Sequence, residues 1–236
     1  MLKKIFLLGL FMLSSAMLSV AQIETTVSFD EAALPRSADR IEKFVPSGWT
    51  VEETITGDLN NDALPDAAVK LIEKMPVNAD KDDPPSRNRV LLILLKNKEG
   101  TFERATAAKK LLQCTRCGGA FYGVVEAPAN VEIKKGILIV RQDSGSRNVV
   151  ETTFRFRYDP SVKRFALIGY DEIDRDRATG ETRSESTNYL TGVKITEIFQ
   201  YNQKLDKDVK KQRRQSKVAK TPQYLEEIDN ESFGSN

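Results

Sequence analysis

Oxygen-bearing side chains recur at every second position in the segment GDLNNDALPDAAV, residues 57–69. If Asp58 is position 1, then Asn60, Asp62 and Asp66 occupy positions 3, 5 and 9, and position 7 can offer a backbone carbonyl. Calcium takes roughly six to eight hard oxygen ligands, and a loop that wraps one ion presents alternate residues to it. The spacing therefore predicts an oxygen-only site for calcium or magnesium. Its ligands would be Asp58, Asn60, Asp62, Leu64 and Asp66.

Two positions in this loop depart from a helical calcium-binding hand. Ala63 stands at position 6, where a sharp turn favours glycine, and Val69 stands at position 12 in place of a bidentate glutamate. Residues 67–69 also look like the start of a strand, which excludes an EF-hand. The alternative interpretation is a β-turn without metal, stabilised by Asp and Asn side chains that accept backbone hydrogen bonds. The sequence leaves both interpretations open.

The same residues resemble a known calcium loop. The run from Gly57 to Asp62, followed by Pro65, Asp66 and the apolar residues 67–69, is similar to an FG-GAP/VCBS-type repeat, the loop of integrin-like propeller blades. The usual form of that repeat is G-D-x-N-x-D-G-x-x-D before an apolar strand. The resemblance covers residues 49–73. Only one copy is present, whereas a propeller would need further copies at a period of roughly 40 to 60 residues.

A wider resemblance extends over residues 38–199. A helix ending in P-x-G-W, the single loop, a Val/Leu-rich strand, C-x-x-C-G-G and a later F-R-F-R-Y…L-I-G-Y-D hairpin follow one another in order. This layout resembles a group of exported bacterial proteins that carry one FG-GAP-like motif and have no assigned reaction. The resemblance implies a fold and an exported location. It implies no chemistry.

Cys114 and Cys117 are the only cysteines of the chain. In an oxidising compartment, two cysteines three residues apart are most simply a local disulfide that fixes a loop. A thiol oxidoreductase would place the pair at the start of a helix, whose dipole lowers the pKa of the first thiol. Gly118 and Gly119 follow directly and disfavour a helix. The disulfide is the favoured interpretation, and a redox function is the alternative.

Catalytic constellations are scarce in this sequence. The chain has no histidine, which removes Ser-His and Cys-His nucleophile pairs and the usual zinc or copper ligands. A cluster of four carboxylates follows the sequence LIGY. Paired carboxylates can hydrolyse glycosidic bonds when they are about 5 to 10 Å apart. The interleaved Arg175 and Arg177 favour a mixed-charge surface instead. The carboxylates of the cluster are Asp171, Glu172, Asp174 and Asp176.

The N-terminus has the pattern of a signal peptide. Lys3 and Lys4 precede a short apolar run, and small residues lead to a cleavage point after Ala21. We therefore predict an exported protein, periplasmic or secreted, with no membrane span after cleavage. Loss of residues 1–21 would leave 34 basic and 34 acidic side chains. Such a balanced charge argues against a nucleic-acid partner.

Strand patterns dominate the rest of the chain. Short runs rich in β-branched and aromatic residues alternate with Gly, Pro, Asn and Asp clusters. The run VLLILL is apolar throughout, as in a strand buried on both faces. We predict a mainly β fold, either an antiparallel meander, partly propeller-like, or a sandwich. The predicted strands are residues 50–56, 67–73, 89–96, 102–108, 131–134, 137–142, 152–159, 164–174, 185–188 and 194–199.

The ends of the chain have different patterns. After an irregular segment over residues 22–36, Ser37 is expected to cap a short helix over residues 38–44. Residues 37–202 would then form a single β domain. Residues 203–236 are highly charged and predict a solvated helix or a disordered tail. An alternative is a basic arm that contacts an acidic partner or membrane surface.

These observations favour a non-enzymatic binding or interaction protein. Its partner would be a protein or glycan ligand, and its calcium-type loop and disulfide would fix surface loops. The two alternatives are a carboxylate-based hydrolase of the cell envelope and a thiol redox partner acting through Cys114 and Cys117.

Overall fold

A computed structural model describes residues 27–234 of the chain. The predicted signal peptide, residues 1–21, lies outside the described residues. Twelve strands form two antiparallel sheets. They are β1 (Ser37–Ala38), β2 (Trp49–Gly57), β3 (Asp66–Glu73), β4 (Arg89–Lys96), β5 (Phe102–Ala108), β6 (Ala129–Lys134), β7 (Ile137–Gly145), β8 (Asn148–Asp159), β9 (Arg164–Asp176), β10 (Glu181–Asn188), β11 (Val193–Asn202) and β12 (Lys207–Lys217).

The order of strands follows from short connections. The first sheet has the order β1-β5-β4-β3-β2, and the second is a meander running from β6 to β12. Tight turns that carry Gly or Asn join most sequential strands, and antiparallel pairing of neighbours is the expected outcome. The prediction of a mainly β fold is confirmed. Each of the ten predicted strands overlaps an observed strand.

The core lies between the two sheets. Leu91 and Ile93 of β4 face Leu138, Phe154 and other apolar side chains of the second sheet. The opposite face of the first sheet forms a second apolar cluster, in which Val90, Leu92 and Leu94 pack with Trp49 and Phe44. Both faces of β4 are therefore buried. This burial explains why its sequence is continuously apolar.

The predicted helix over residues 38–44 is wrong. Ser37 and Ala38 pair with β5 as a two-residue strand, and Ile41–Phe44 forms only one 3₁₀ turn. Ser37 therefore cannot act as its cap, and the preceding Arg40 makes no capping side-chain bond. The segment covers the outer apolar cluster with Phe44 and Ile41, and this packing decides its path. The described residues contain three further 3₁₀ turns: Glu31–Ala33, Gly119–Phe121 and Leu225–Glu227.

The C-terminal residues also differ from the prediction of a helix or a disordered tail. Residues 207–217 form β12, which pairs with β11 along its length. The chain then returns to the core, where Leu225 and Ile228 are buried and Phe233 packs on Phe154 and Tyr170. Residues 203–233 are thus continuous with the β domain.

Among residues 27–234, no helix combines the length and apolar character needed to cross a bilayer.

Candidate functional site

The acidic loop connects β2 to β3 at one end of the first sheet. Gly57, the last residue of β2, is paired with Asp66, the first residue of β3. Because the two strands are antiparallel neighbours, residues 58–65 leave and re-enter the sheet at adjacent points. Leu59 is fully buried and joins the core between the sheets. The loop is therefore fixed at both of its ends and by one apolar side chain.

Three side chains of the predicted ion site converge on the backbone of the loop. Asp58 Oδ1 and Asn60 Oδ1 each accept a hydrogen bond of 3.1 Å from the amide of Asp62. Asp58 Oδ2 also accepts from the amide of Ala63 at 2.9 Å. Asp62 Oδ1 accepts from the Leu64 amide at 2.8 Å, and Asn60 Nδ2 donates to Asp62 Oδ2 at 2.9 Å. The carboxylates therefore define the loop conformation.

The turn contains two residues with positive φ. Asn61 has a φ of 63° and Ala63 has a φ of 66°. Asparagine tolerates this left-handed region comparatively well, whereas the Cβ of alanine is strained there. Ala63 thus takes the backbone conformation for which the repeat pattern carries glycine at position 6.

Asp66 has a separate position beneath the loop. Its carboxylate is fully buried, with Oδ2 accepting from the Leu59 amide and Oδ1 accepting from the Lys96 amide, both at 2.8 Å. Burial raises the pKa of Asp66 above its ordinary value, against the opposing effect of these two amides. The side chain links the loop, β3 and the end of β4. Asp66 therefore stabilises the fold, in addition to the ligand role predicted for it.

The structure therefore brings Asp58, Asn60 and Asp62 together and sets Asp66 apart. Leu64 lies between them, and its carbonyl accepts from the Asp66 amide at 3.1 Å. Within residues 27–234, no three His, Cys, Asp or Glu side chains are grouped closely enough to hold a metal ion. The oxygens that are close together belong to two carboxylates and one amide.

A cleft of about 510 Å³ opens beside the loop. Asn61 lines it together with three tyrosines, Tyr158, Tyr189 and Tyr224. Arg157 and Lys220 supply positive charge, and Asp159 supplies one negative charge. The guanidinium of Arg164 stacks on Tyr224, 3.6 Å from the ring centroid. Sequence reasoning missed this cleft because its residues come from segments far apart in the chain. No local spacing could have indicated it.

Cys114 and Cys117 form a disulfide, with their Sγ atoms 2.04 Å apart. The turn that they close is hydrogen-bonded to several segments. The Thr115 amide donates to the Arg87 carbonyl, and the Ala127 amide donates to the Thr115 carbonyl. The Gly145 amide of β7 donates to the Gly118 carbonyl. The disulfide therefore fixes a turn that is bonded to β7 and to the segment just before β4, and it borders a cavity of about 600 Å³.

The carboxylates of the β9 cluster have separate partners. Asp171 pairs with Arg155, Asp174 accepts from Asn148, and Asp176 pairs with Arg147, which lowers the pKa of Asp176. Glu172 accepts from the hydroxyl of Tyr170. Successive residues of a strand face opposite sides of the sheet. Asp171 therefore lies on the opposite face from Glu172, Asp174 and Asp176, and each of the four carboxylates has its own hydrogen-bonding or ion-pair partner.

Comparisons with known proteins identify no family for the chain. No protein-family model, no curated protein and no solved structure matches the chain.

Proposed function

We propose that the chain is an exported, non-enzymatic binding protein whose ligand occupies the cleft beside the acidic loop. The observation that carries the proposal is the cleft, where three tyrosine rings and two cations share a wall with Asn61 of the loop. Aromatic faces and a few placed polar groups are typical of ligand sites. The resemblance to exported FG-GAP-like proteins and the N-terminal pattern support the location, periplasmic or secreted.

The chemistry of the cleft favours an acidic oligosaccharide. Tyr158 and Tyr189 would stack on sugar rings, while Arg157 and Lys220, which outnumber the one acid of the lining, Asp159, would pair with carboxylates. Leu190 forms part of the same wall and is half exposed, so that its substitution leaves the core intact. We expect Leu190→Asp and Lys220→Glu each to weaken binding of a uronic-acid oligosaccharide by about tenfold, which corresponds to about 1.4 kcal/mol.

Calorimetric titration with a panel of acidic and neutral oligosaccharides tests this expectation. Lys81→Glu, an exposed charge change in the β3–β4 loop, is the matched control and should leave binding unchanged. Equal binding by the wild type and both cleft variants would reject the cleft as the ligand site. Absence of binding to every oligosaccharide would reject this ligand class.

We propose further that the loop holds a structural calcium ion. Asp58 and Asn60 both accept hydrogen bonds from the Asp62 amide, and the Asn60 side chain donates to the Asp62 carboxylate. The Leu64 carbonyl and Asp66, which would have to turn toward the loop, are the other ligands of the proposed set. A bound divalent cation would offset the repulsion between the carboxylates and order the turn. Because the ion would bind only the folded chain, it would add roughly 2.7 kcal/mol to stability at about 100 times its dissociation constant.

Thermal unfolding in calcium and in chelator measures this effect. The wild-type melting temperature is expected to rise with calcium, and Asp58→Ala combined with Asp62→Ala should abolish the rise. Asp80→Ala with Asp82→Ala removes the same charge from another exposed turn, in which the Asp80 side chain accepts from the Asp82 amide, and should retain the rise. Identical wild-type curves with calcium and with chelator would refute the ion.

A further inference from the structure

The free edge of the seven-stranded sheet is long and basic. β12 pairs on one side with β11 and stands at the end of the strand order, so no described strand covers its other side. It has 11 residues and therefore extends about 36 Å. Nine of its residues are exposed, all except Val209 and Ser216. Such an edge presents unpaired backbone donors and acceptors.

The charge of β12 is strongly one-sided. Six of its 11 residues are Lys or Arg, and Asp208 is its single acid. Lys210 and Arg213 pair with Glu197 of β11. In the part of the chain that the structure describes, the other four cations have no acidic partner within ion-pair distance. They are Lys207, Lys211, Arg214 and Lys217.

The direction of the backbone groups follows from one hydrogen bond. The Val218 amide donates to the Gly192 carbonyl at 3.0 Å, which places Val218 on the β11 side. Alternate residues of an antiparallel strand point to opposite neighbours. The amides and carbonyls of Arg213, Gln215 and Lys217 therefore point away from the sheet.

We propose that β12 binds an extended acidic segment of a partner protein by strand addition. The outward backbone groups would form the new ladder, and the four unpaired cations would face acidic side chains on both sides of the added strand. A second copy of β12 does not suit this edge, because cations would then stand opposite cations. The inference rests on the proposed binding function but uses a different surface, so the cleft and the edge can fail independently.

A fluorescently labelled peptide of about ten residues, built from Glu-Glu-Val-Val repeats so that glutamates lie on both faces of the added strand, is the probe for the full chain. We expect it to bind and to slow hydrogen exchange at the amides of Arg213, Gln215 and Lys217. The same peptide with N-methyl groups on alternate residues keeps its charge but cannot complete the ladder. It should bind about tenfold more weakly.

Matched protein variants separate the contribution of backbone hydrogen bonds to binding from the contribution of charge. Gln215→Pro removes one outward amide without changing charge, and proline is tolerated at an edge where the N–H faces solvent. Lys211→Gln with Arg214→Gln removes two unpaired cations and keeps the backbone. Each variant should weaken binding by about tenfold. Lys134→Gln with Lys135→Gln makes the same charge change at the opposite end of the sheet and should bind as the wild type does.

Recognition by charge alone would overturn the proposal. That outcome would appear as equal binding of the N-methylated and unmodified peptides, with loss only in the variant that lacks Lys211 and Arg214. Anionic phosphatidylserine vesicles that bind the wild type while the peptide does not would identify a membrane surface as the partner instead. The N-methylated peptide keeps the test decisive if Gln215→Pro alters the fold.

Discussion

Ala63 stands where the FG-GAP-type pattern has glycine, and its backbone adopts a conformation that favours glycine. Its φ of 66° lies in the region that favours glycine, and the Asp58 carboxylate accepts a hydrogen bond from its amide. A left-handed conformation costs a non-glycine residue roughly 1–2 kcal/mol. The amides of residues 62–64 are held by Asp58, Asn60 and Asp62, and these bonds offset that cost.

Ala63→Gly should therefore stabilise the protein. Glycine removes the Cβ clash, which costs roughly 1–2 kcal/mol. It also raises the conformational entropy of the unfolded chain, which costs roughly 0.4–1 kcal/mol of stability. The net result is a gain of about 0.5–1 kcal/mol. Urea unfolding in chelator measures the change without any contribution from a metal ion. Ala178→Gly is the control, because Ala178 is exposed and its φ is not positive. The control should lose stability, and an equal loss at Ala63 would show that the turn has another conformation in solution.

At the scale of the element, strands with an apolar face were predictable. Alternating or continuous apolar runs identified strands such as β3, β4, β8 and β9, because the burial that creates the pattern is the burial that forms the core. β4 is the clearest case, since its residues contribute to both apolar clusters. The loop between β2 and β3 was also predictable. Its Asp and Asn side chains form local hydrogen bonds that need no distant partner.

The missed elements lack an apolar pattern of their own. β12 has nine exposed residues and a charge run, so its sequence is typical of a solvated segment and its pairing with β11 depends on the neighbour. The N-terminal segment suggested a helix because Ser37 resembles a cap, but pairing with β5 uses that residue instead. The tyrosine cleft depends on tertiary packing. The N-terminal error and the omission of the cleft follow from contacts distant in sequence, whereas β12 pairs with the strand directly before it.

At the scale of the whole molecule, a buried polar network joins the two sheets. Arg89 of β4 is almost fully buried and donates through Nε and Nη2 to Glu52 of β2. Its Nη1 donates to the carbonyls of Gln113 and Ala127 in the connection between the sheets. The Gln113 amide in turn donates to the side chain of Gln142 on β7. The two layers are thus linked by directed bonds as well as by the apolar core.

Removal of Arg89 should destabilise both layers together. Arg89→Ala leaves the partly exposed Glu52 carboxylate with only Lys70, 3.6 Å away, and leaves two buried carbonyls without this donor; each buried group left unsatisfied costs about 1–3 kcal/mol. Arg141→Ala is the matched control, because Arg141 and its partner Glu132 are both about half exposed on the outer face. The control should change stability by less than about 1 kcal/mol.

Urea unfolding followed by tryptophan fluorescence reports on the first sheet through Trp49, and far-UV circular dichroism reports on both sheets. Both signals should shift to lower urea in one coincident transition. A change in Arg89→Ala no larger than the control's would show that the apolar core alone holds the sheets together, and separated transitions would show that the two layers unfold independently.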